Sequence, residues 1–306
     1  MFSYRHDFHA GNHADVLKHT VLIFLLDYLL QKQKSLCVID THAGAGIYSL
    51  ESVYAQKSGE WCNGIGKLRE AKGVSAPLAR YLEVIDYFNN THHDRTHHKT
   101  QQLGEKSLSE FKNIYPGSPA ISAALLRKED SLHLFELHPT DLLTLQENFS
   151  HKHTNTAIPF SPRIQVQSSN GFSALKALLP PPSRRGLVLI DPSYEDKQDY
   201  AAVVGAVHAG LTRFATGTYA IWYPCLGRQE SRRLPQQLKQ LPITHWLQAE
   251  LAISGNTQTG LVRSGLFIIN PPWTLKATLQ TLLTEFVTIL QHDKDAQYFL
   301  EEQQSN

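Results

Sequence analysis

Two four-residue segments of the chain combine a side-chain oxygen, a proline and an aromatic ring in an order that suits chemistry on an amino group. The first is DPSY, Asp191 to Tyr194, and the second is NPPW, Asn270 to Trp273. A carboxylate or amide oxygen and a peptide carbonyl can hold both N–H groups of an exocyclic amine while the ring stacks on the base. Asn-Pro-Pro-aromatic is typical of enzymes that methylate such amines. At most one of the two segments can be the active site.

Seven short apolar runs, separated by helical patterns, predict the strands that position these segments. The runs cover 36–39, 131–137, 163–167, 186–191, 218–223, 245–253 and 265–270. Several are apolar throughout, as expected for strands covered on both faces. Alternating strands and helices predict an α/β fold with a doubly wound, seven-stranded, mostly parallel sheet.

The place of each segment in this sheet favours DPSY as the active site. Asp191 ends the fourth predicted strand, beside the first strand, where ligands of open sheets gather. We therefore expect Asp191 to be catalytic, with the Pro192 carbonyl as second acceptor and the Tyr194 ring as the stacking face. NPPW ends the last strand, which runs antiparallel in methyltransferase sheets and points away from that site. Its prolines are expected to end an edge strand.

The segment DTHAGAG, residues 40–46, places two glycines directly after the first predicted strand. Gly44 and Gly46 would let the backbone approach a ligand closely. The spacing Asp-x-x-x-Gly-x-Gly is closer to the first motif of S-adenosylmethionine-dependent methyltransferases than to a dinucleotide-binding fingerprint. A plain tight turn remains the alternative interpretation.

Later strand ends and turns supply further candidate cofactor contacts. Ser118 precedes Pro119 and is expected to be the N-cap of a helix with proline at its first position, whose amides could receive a carboxylate. Glu136 follows the second strand and is placed to accept hydrogen bonds from two ribose hydroxyls. Asn170 could bind an adenine amino group, and Gly171 permits a close turn. An ordinary capped helix, a solvated glutamate and a generic Asn-Gly turn remain alternatives.

The long interval between the glycine turn and Glu136 predicts an insertion. We expect a methyltransferase domain formed by residues 1–50 and 114–306, and a small inserted helical subdomain at 51–113. PLARYLEVIDYF, residues 77–88, predicts an amphipathic helix in this insertion, followed by a mobile His-rich loop. The role of the loop segment 91–100 is not evident from its composition.

Composition restricts the classes of partner and compartment. Lys plus Arg number 29 against 28 Asp plus Glu, so any nucleic-acid surface must be a local patch. Three unevenly spaced cysteines argue against a disulfide framework or a zinc site. The N-terminus lacks a secretory pattern, and the apolar run at 21–30 is too short for a membrane span, which predicts a cytoplasmic protein with no membrane contact. The run at 21–30 is expected to belong to a buried core helix, whose N-terminal end could be capped by Asn12 or Asp15.

Histidines and arginines are residue types that bind metals and phosphates, but their spacing in this sequence matches no recognised binding motif. Histidines cluster near the N-terminus and at 92–98, but neither group has an acidic or cysteine partner at a recognised ligand spacing, so no metal is expected. Six arginines could form a phosphate-binding patch around the carboxyl edge of the sheet. They are Arg184, Arg185, Arg213, Arg228, Arg232 and Arg233.

Several motifs, taken in order, resemble those of the RlmJ family, the 23S rRNA (adenine(2030)-N6)-methyltransferases. They are YRHDFHAGNHADVLKH, DTHAGAG, YPGSP, ELHP, SRRGLVLIDPSYE, RFATGTYAIWYP and INPPW, and they span nearly the whole chain. The resemblance implies a Rossmann-like class I methyltransferase fold, S-adenosyl-L-methionine as donor, and one adenine of 23S rRNA, naked or partly assembled, as acceptor. We expect a monomer that extrudes its target base.

Carried over by motif, the resemblance implies cofactor contacts from His19, His42, Gly44, Ser118, Glu136, Asn170, Gly171 and Asp191. It implies substrate contacts from Tyr4, with His6 and Lys18 as helpers and Tyr194 beside the base. The family pattern has Asp where this chain has Asn170, and a second proline where it has Ser193. Two alternative functions remain open: an RNA-binding module that has lost catalysis, and an amino-methyltransferase acting on DNA or protein glutamine.

Overall fold

The computed structural model describes residues 5–96, 113–149, 163–256 and 260–304. Within these ranges, eight strands form one sheet: β1 (Cys37–Asp40), β4 (Ser131–Phe135), β5 (Ile164–Gln167), β6 (Gly186–Ile190), β7 (Thr218–Pro224), β8 (His245–Ala252), β9 (Arg263–Ile269) and β10 (Gln297–Gln304). Their order across the sheet is β10-β8-β9-β7-β6-β1-β4-β5. A second sheet pairs β2 (Ile47–Ser49) with β3 (Ile114–Pro116).

Helices cover both faces of the main sheet. They are α1 (His13–Leu29), α2 (Val53–Ser58), α3 (Ile65–Glu70), α4 (Ala76–Thr96), α5 (Ser118–Leu125), α6 (Pro139–Asn148), α7 (Gly171–Leu178), α8 (Gln198–Arg213), α9 (Gln229–Lys239) and α10 (Leu275–Leu290). Side chains of α1, α3, α4, α5 and α10 share one apolar core with the sheet. Those of α7, α8 and α9 form a second core on the opposite face. The doubly wound α/β prediction is confirmed.

Most strands of the main sheet run in the same direction, so their carboxyl ends lie at the same edge. β1 pairs in parallel with β4 and β6, β4 with β5, and β6 with β7. β9 is antiparallel to both β7 and β8, so β8 runs in the parallel direction and β9 against it. The carboxyl ends of β1, β4 and β6 therefore meet at one edge, where α/β proteins bind their ligands.

The predicted strand count was wrong by one, because β10 was not recognised. β10 pairs antiparallel with β8 at the edge of the sheet, and most of its side chains are exposed, so it lacks an apolar run. The C-terminal segment thus forms the edge strand. The prediction that prolines end an edge strand at NPPW was also wrong in this respect, since β9 lies between β7 and β8.

The apolar run near the N-terminus forms a buried helix, as predicted. Asn12 is the N-cap of α1, and its side-chain oxygen accepts hydrogen bonds from the N–H groups of Ala14 and Asp15 at 2.9 and 3.0 Å. Such a cap satisfies N–H groups that lack partners within the helix. Of the two candidate caps, the structure thus selects Asn12. None of the helices described is both long and apolar enough to cross a membrane.

The predicted insertion contains α2, α3, α4 and a short 3-10 helix at Glu60–Asn63. The paired strands β2 and β3 flank it, so the chain leaves and re-enters the methyltransferase core at adjacent positions. Helix α4 continues to Thr96, so the first part of the predicted His-rich loop is helical instead. The rest of that loop, residues 97–112, lies outside the described residues. The domain boundary at 51 and 113 stays a prediction.

Candidate active site

A cavity of about 960 Å³ opens at the carboxyl edge of the sheet. Its walls come from the turns after β1, β4 and β6, from α1, and from the start of α5 and α7. The predicted cofactor and substrate residues that line it are His6, Lys18, His19, His42, Gly44, Ser118, Glu136, Asn170, Gly171, Asp191 and Pro192. Residues far apart in the sequence are therefore brought to one cavity. Tyr4 lies outside the described residues.

The glycine turn after β1 is joined to Glu136 after β4. Gly44 has φ +61°, a conformation that favours glycine, and its N–H donates to Glu136 Oε2 at 2.7 Å. Glu136 Oε1 accepts from the N–H groups of Leu137 and His138 at 2.7 and 2.6 Å. Three backbone donors thus fix one carboxylate at the cavity wall. With two acceptor sites on each oxygen, Oε1 is fully used and Oε2 keeps one site for a further hydroxyl donor.

Ser118 contributes to the cavity, but not as the predicted N-cap. Gly117 is the N-cap of α5, and Ser118 is the first helical residue. The Ser118 hydroxyl instead donates to Asp40 Oδ2 at 2.6 Å. Burial raises the pKa of Asp40 to about 6, although this hydrogen bond opposes the shift. Its oxygen does not cap the helix because Ser118 lies one position inside it, at the first helical residue.

The turn before α7 brings Asn170 and Gly171 against the turn that follows β1. Asn170 is the N-cap of α7, and its side-chain oxygen accepts from the N–H of Ser173 at 3.2 Å. A Cβ atom on Gly171 would lie 2.2 Å from the Thr41 carbonyl oxygen, so only glycine fits there. Phe172 packs edge-on against the His42 ring, with 4.8 Å between ring centroids. Burial lowers the pKa of His42 to about 4, which keeps the ring neutral near pH 7.

DPSY forms a sharp turn directly after β6. Asp191, Pro192 and Ser193 line the cavity, while Tyr194 does not. Tyr194 has φ +54° and is 1% exposed. Its hydroxyl donates to the Trp222 carbonyl at 2.7 Å, and its ring packs against Tyr200 at 4.7 Å between centroids.

The predicted stacking role of Tyr194 is not met in this structure. The left-handed backbone of residue 194 turns its side chain into the core, where the hydroxyl bond and the packing hold it. A ring buried in this way cannot offer a face to a base unless the turn opens. Tyr194 instead anchors the turn that presents Asp191 and Pro192 to the cavity.

Lys18 and His6 approach the cavity from the N-terminal part of the chain. Lys18 Nζ donates to Asp191 Oδ2 at 2.5 Å and to Asp15 Oδ1 at 2.9 Å. Burial lowers the pKa of Lys18, but the two carboxylates raise it by more, so its pKa lies above the ordinary value. His6 Nε2 donates to Asp15 Oδ2 at 2.9 Å, and its ring lies 4.9 Å from that of Tyr48.

His19 lies deeper in the same wall. Its Nδ1 lies 2.8 Å from the Tyr115 hydroxyl, and that hydroxyl is 3.1 Å from the hydroxyl of Tyr81 on α4. Burial lowers the pKa of His19 to about 3, so the ring is neutral. Asp15 joins His6 and Lys18, but the sequence indicated it only as a possible helix cap and not as a site residue. The acid–base spacing Asp15-x-x-Lys18 within one helical turn was the only signal available for it.

NPPW lies away from the cavity, as predicted. β9 ends at Ile269, which pairs with Tyr219 at the amino end of β7, on the opposite edge of the sheet. Asn270 Nδ2 donates to the carbonyls of Ala215 and Gly217 at 2.8 and 2.7 Å, so its amide is used for structure. Trp273 is 77% exposed.

The predicted arginine patch is divided between the two edges of the sheet. Arg184 and Arg185 precede β6 and Arg213 precedes β7, so these three lie at the amino edge. Arg185 donates to the carbonyls of Leu29 and Lys34 near the end of α1. Only Arg228, Arg232 and Arg233 follow β7 and lie at the carboxyl edge. Arg228 donates to the Tyr194 carbonyl at 3.2 Å.

The charges of the cavity indicate the class of ligand. Two lysines line it, Lys18 and Lys197, against six carboxylates: Glu136, Asp141, Asp191, Glu195, Asp196 and Asp199. Such a wall disfavours a pyrophosphate and suits a ligand that carries positive charge. S-adenosylmethionine has a sulfonium and an ammonium, whose positive charges suit these carboxylates. It also has two ribose hydroxyls, which can donate hydrogen bonds to a carboxylate such as Glu136. Among the described residues, no three His, Cys, Asp or Glu side chains are grouped so that they could hold a metal ion.

The sheet order and the site at its carboxyl edge define a class I S-adenosylmethionine-dependent methyltransferase. A family model described as "Ribosomal RNA large subunit methyltransferase D, RlmJ" matches residues 33–298. The chain therefore belongs to the RlmJ family of methyltransferases, and S-adenosylmethionine is its cofactor.

Relatives with known names agree with this membership. The chain is 43% identical to "Ribosomal RNA large subunit methyltransferase J" of Escherichia coli and 44% identical to the protein of that name from Haemophilus influenzae. Each match extends over 284 residues and covers 92% of both chains. A crystal structure of protein LPL1258 from Legionella pneumophila matches with a TM-score of 0.79 and 31% identity, and it covers 96% of this chain and 98% of that one.

Proposed function

We propose that this enzyme methylates the N6 amino group of one adenine in 23S rRNA, the adenine numbered 2030 in the family name. The observation that carries the proposal is Asp191 at the cavity wall, directly after the strand that pairs with β1, with Lys18 fixing one of its carboxylate oxygens. An acidic Asp-Pro turn at this place suits an exocyclic amine, because both N–H groups need acceptors.

Each residue of the turn has a separate task in this proposal. Asp191 Oδ2 is occupied by Lys18, and none of the hydrogen bonds found in the described residues engages Oδ1. Oδ1 then accepts one N–H of the adenine amine, and the Pro192 carbonyl accepts the other. The cofactor supplies a methyl group activated by its sulfonium. The methyl group would pass to N6 as its bond to the sulfonium sulfur breaks, the sulfur would keep that electron pair in the neutral thioether product, and Asp191 would receive the proton that N6 loses.

The adenine must leave its base stack before it reaches the cavity. A duplex base cannot bring its amino group to a recessed carboxylate, so an unpaired or extruded adenine is the proposed substrate. Arg228, Arg232 and Arg233 lie at the same edge of the sheet and are the proposed phosphate contacts. Tyr4 is proposed to contact the substrate nucleotide. We further propose that the enzyme is a cytoplasmic monomer that acts without a metal on naked or partly assembled 23S rRNA.

The test is transfer of labelled methyl from S-adenosylmethionine to 23S rRNA isolated from cells that lack this enzyme, followed by mapping of the modified nucleotide. Duplex DNA and a glutamine-containing peptide serve as competing substrates. The proposal predicts one N6-methyladenine at the single position and no transfer to DNA or peptide. Transfer to either competitor in preference to RNA contradicts it.

The same protein preparation separates catalysis from mere RNA binding. Titration calorimetry with S-adenosylmethionine is expected to show one binding site. A preparation that binds 23S rRNA but neither binds the cofactor nor transfers methyl would show an RNA-binding module that has lost catalysis.

A further inference from the structure

Asp15 is a buried carboxylate that touches neither the cavity nor the turn after β6, yet it joins two residues that line the cavity. It lies in the first turn of α1 and is 2% exposed. Asp15 Oδ2 accepts from His6 Nε2 at 2.9 Å and from the N–H of Gly11 at 3.0 Å. Asp15 Oδ1 accepts from Lys18 Nζ at 2.9 Å. Both oxygens are therefore used, and two of the three donors belong to the cavity wall.

The surroundings of Asp15 keep it ionised although it is buried. Burial raises the pKa of Asp15, but the interactions with His6 and Lys18 lower it by more, so the pKa lies well below the ordinary value. The amino end of α1 also favours a negative charge at this place. An ionised carboxylate held in one position forms strong, charge-assisted hydrogen bonds and can therefore fix the positions of flexible side chains that donate to it.

Lys18 is the side chain whose orientation depends most on Asp15. Its long chain has several rotatable bonds, and its ammonium is 6.0 Å from the centroid of the Trp222 ring, a contact that is weak at this distance. Two carboxylates from different elements, Asp15 on α1 and Asp191 after β6, hold the ammonium between them. Without Asp15, only Asp191 would remain to orient it.

We propose that Asp15 is a positioning residue of this active site: it holds Lys18 against Asp191 and holds His6 at the cavity wall, without touching substrate or cofactor. The proposal rests on the proposed function, because it assigns the effect of Asp15 to the step carried out at Asp191. A displacement of about 1 Å in such a site can cost on the order of 100-fold in rate, so positioning alone can have a large effect.

The experiment compares Asp15→Asn with the wild-type enzyme. Asparagine keeps the shape and one acceptor oxygen but removes the charge. We expect kcat to fall by about 10- to 100-fold, while the KM for RNA and the Kd for S-adenosylmethionine stay within about threefold. The matched control is Asp27→Asn on the same helix, which removes a carboxylate that binds Arg80 and is remote from the cavity. Its kcat is expected to stay within about twofold of wild type.

Two results of this kinetic comparison would overturn the proposal. One is a folded Asp15→Asn enzyme with wild-type kcat. The other is a parallel worsening of kcat, KM and Kd together with a loss of thermal stability beyond that of Asp27→Asn, which would assign Asp15 a structural role alone.

A double-mutant cycle with Lys18→Met tests whether Asp15 acts through Lys18. The rate loss caused by Asp15→Asn is expected to be smaller when Lys18 is already absent. An equal loss in both backgrounds contradicts the proposal.

A crystal structure of Asp15→Asn gives a readout that does not depend on activity. Lys18 Nζ is expected to move beyond hydrogen-bond distance of Asp191, or to be disordered. An unmoved Lys18 contradicts the proposal. If the wild-type enzyme methylates no RNA, the proposed function fails, whereas the position of Lys18 in the variant still decides the role of Asp15.

Discussion

Glu136 accepts a hydrogen bond of 2.7 Å from the N–H of Gly44, although 92 residues separate them in the chain. This bond joins the turns after β1 and β4 into one wall of the cavity. The insertion between the two turns does not disturb that wall, because β2 and β3 pair where the chain leaves and returns.

Glu136→Gln is expected to weaken binding of S-adenosylmethionine. A glutamine amide has only one acceptor oxygen. Its NH₂ group would therefore face a backbone N–H group that now donates to the carboxylate, and two donors cannot form a hydrogen bond. We predict a Kd about 10- to 100-fold higher, or about 1.4 to 2.7 kcal/mol, by titration calorimetry. Glu83→Gln, on the exposed side of α4, is the control and should bind as wild type does. An unchanged Kd for Glu136→Gln would show that Glu136 does not bind the cofactor.

The two rival segments can be separated by one pair of variants. Asp191→Ala removes the carboxylate at the cavity and is expected to reduce methyl transfer by about 10²- to 10⁴-fold. Trp273→Ala alters the exposed tryptophan at the opposite edge and is expected to retain activity within about twofold. Labelled methyl transfer to unmodified 23S rRNA measures both. An inactive Trp273→Ala beside an active Asp191→Ala would reverse the assignment of the site.

Tyr194→Phe tests whether this side chain anchors the turn. The variant loses the hydroxyl bond to the Trp222 carbonyl and leaves that carbonyl without its partner. We predict a loss of about 1–3 kcal/mol in the free energy of unfolding, measured by urea denaturation. A ring that served only to stack on the base would lose nothing on this change, so wild-type stability would contradict the anchoring role.

His42 makes the stability of the fold depend on pH. Its pKa is about 4 in the folded protein because of burial, against an ordinary value of 6.5. Between these values the unfolded chain holds a proton that the folded chain lacks, so the contribution of His42 to stability is lost as the pH falls below about 6.5.

The matching variant is His42→Gln. From pH 6 to pH 5, the free energy of unfolding is expected to decrease in both proteins. The decrease in His42→Gln should be smaller than that in wild type, and the difference should be about 1 kcal/mol per pH unit. From pH 7.5 to pH 8.5 the two slopes should agree, since the ring is then neutral in both states. Equal slopes in the acid range would show that His42 is not buried in its neutral form.

Those parts of the fold that depend on apolar periodicity could be predicted from the sequence. The strand that ends at Asp191 is apolar throughout and is buried on both faces, and its position beside β1 decided between DPSY and NPPW. β10 could not be found in this way, because an edge strand with mostly exposed side chains has no apolar run. The chain direction at β6 and β7 would have been enough to separate Arg184 and Arg213 from the carboxyl edge.

The side-chain directions within the site were beyond the sequence. Nothing in DPSY shows that residue 194 takes a positive φ, which turns an aromatic ring from the cavity into the core. Ser118 was expected at the N-cap of α5, but Gly117 holds that position, and only the folded structure shows that the Ser118 hydroxyl donates to Asp40. Asp15 was missed because its partners, His6 and Lys18, become cavity residues only after the N-terminal segment folds against α1.

The most direct test is a crystal structure of the enzyme with a non-reactive analogue of S-adenosylmethionine and an adenosine nucleotide. We expect the adenine N6 within about 3.2 Å of Asp191 Oδ1, with the methyl-bearing position of the analogue on the far side of that nitrogen. An adenine bound at NPPW, or an Asp191 side chain turned away from N6, would contradict it.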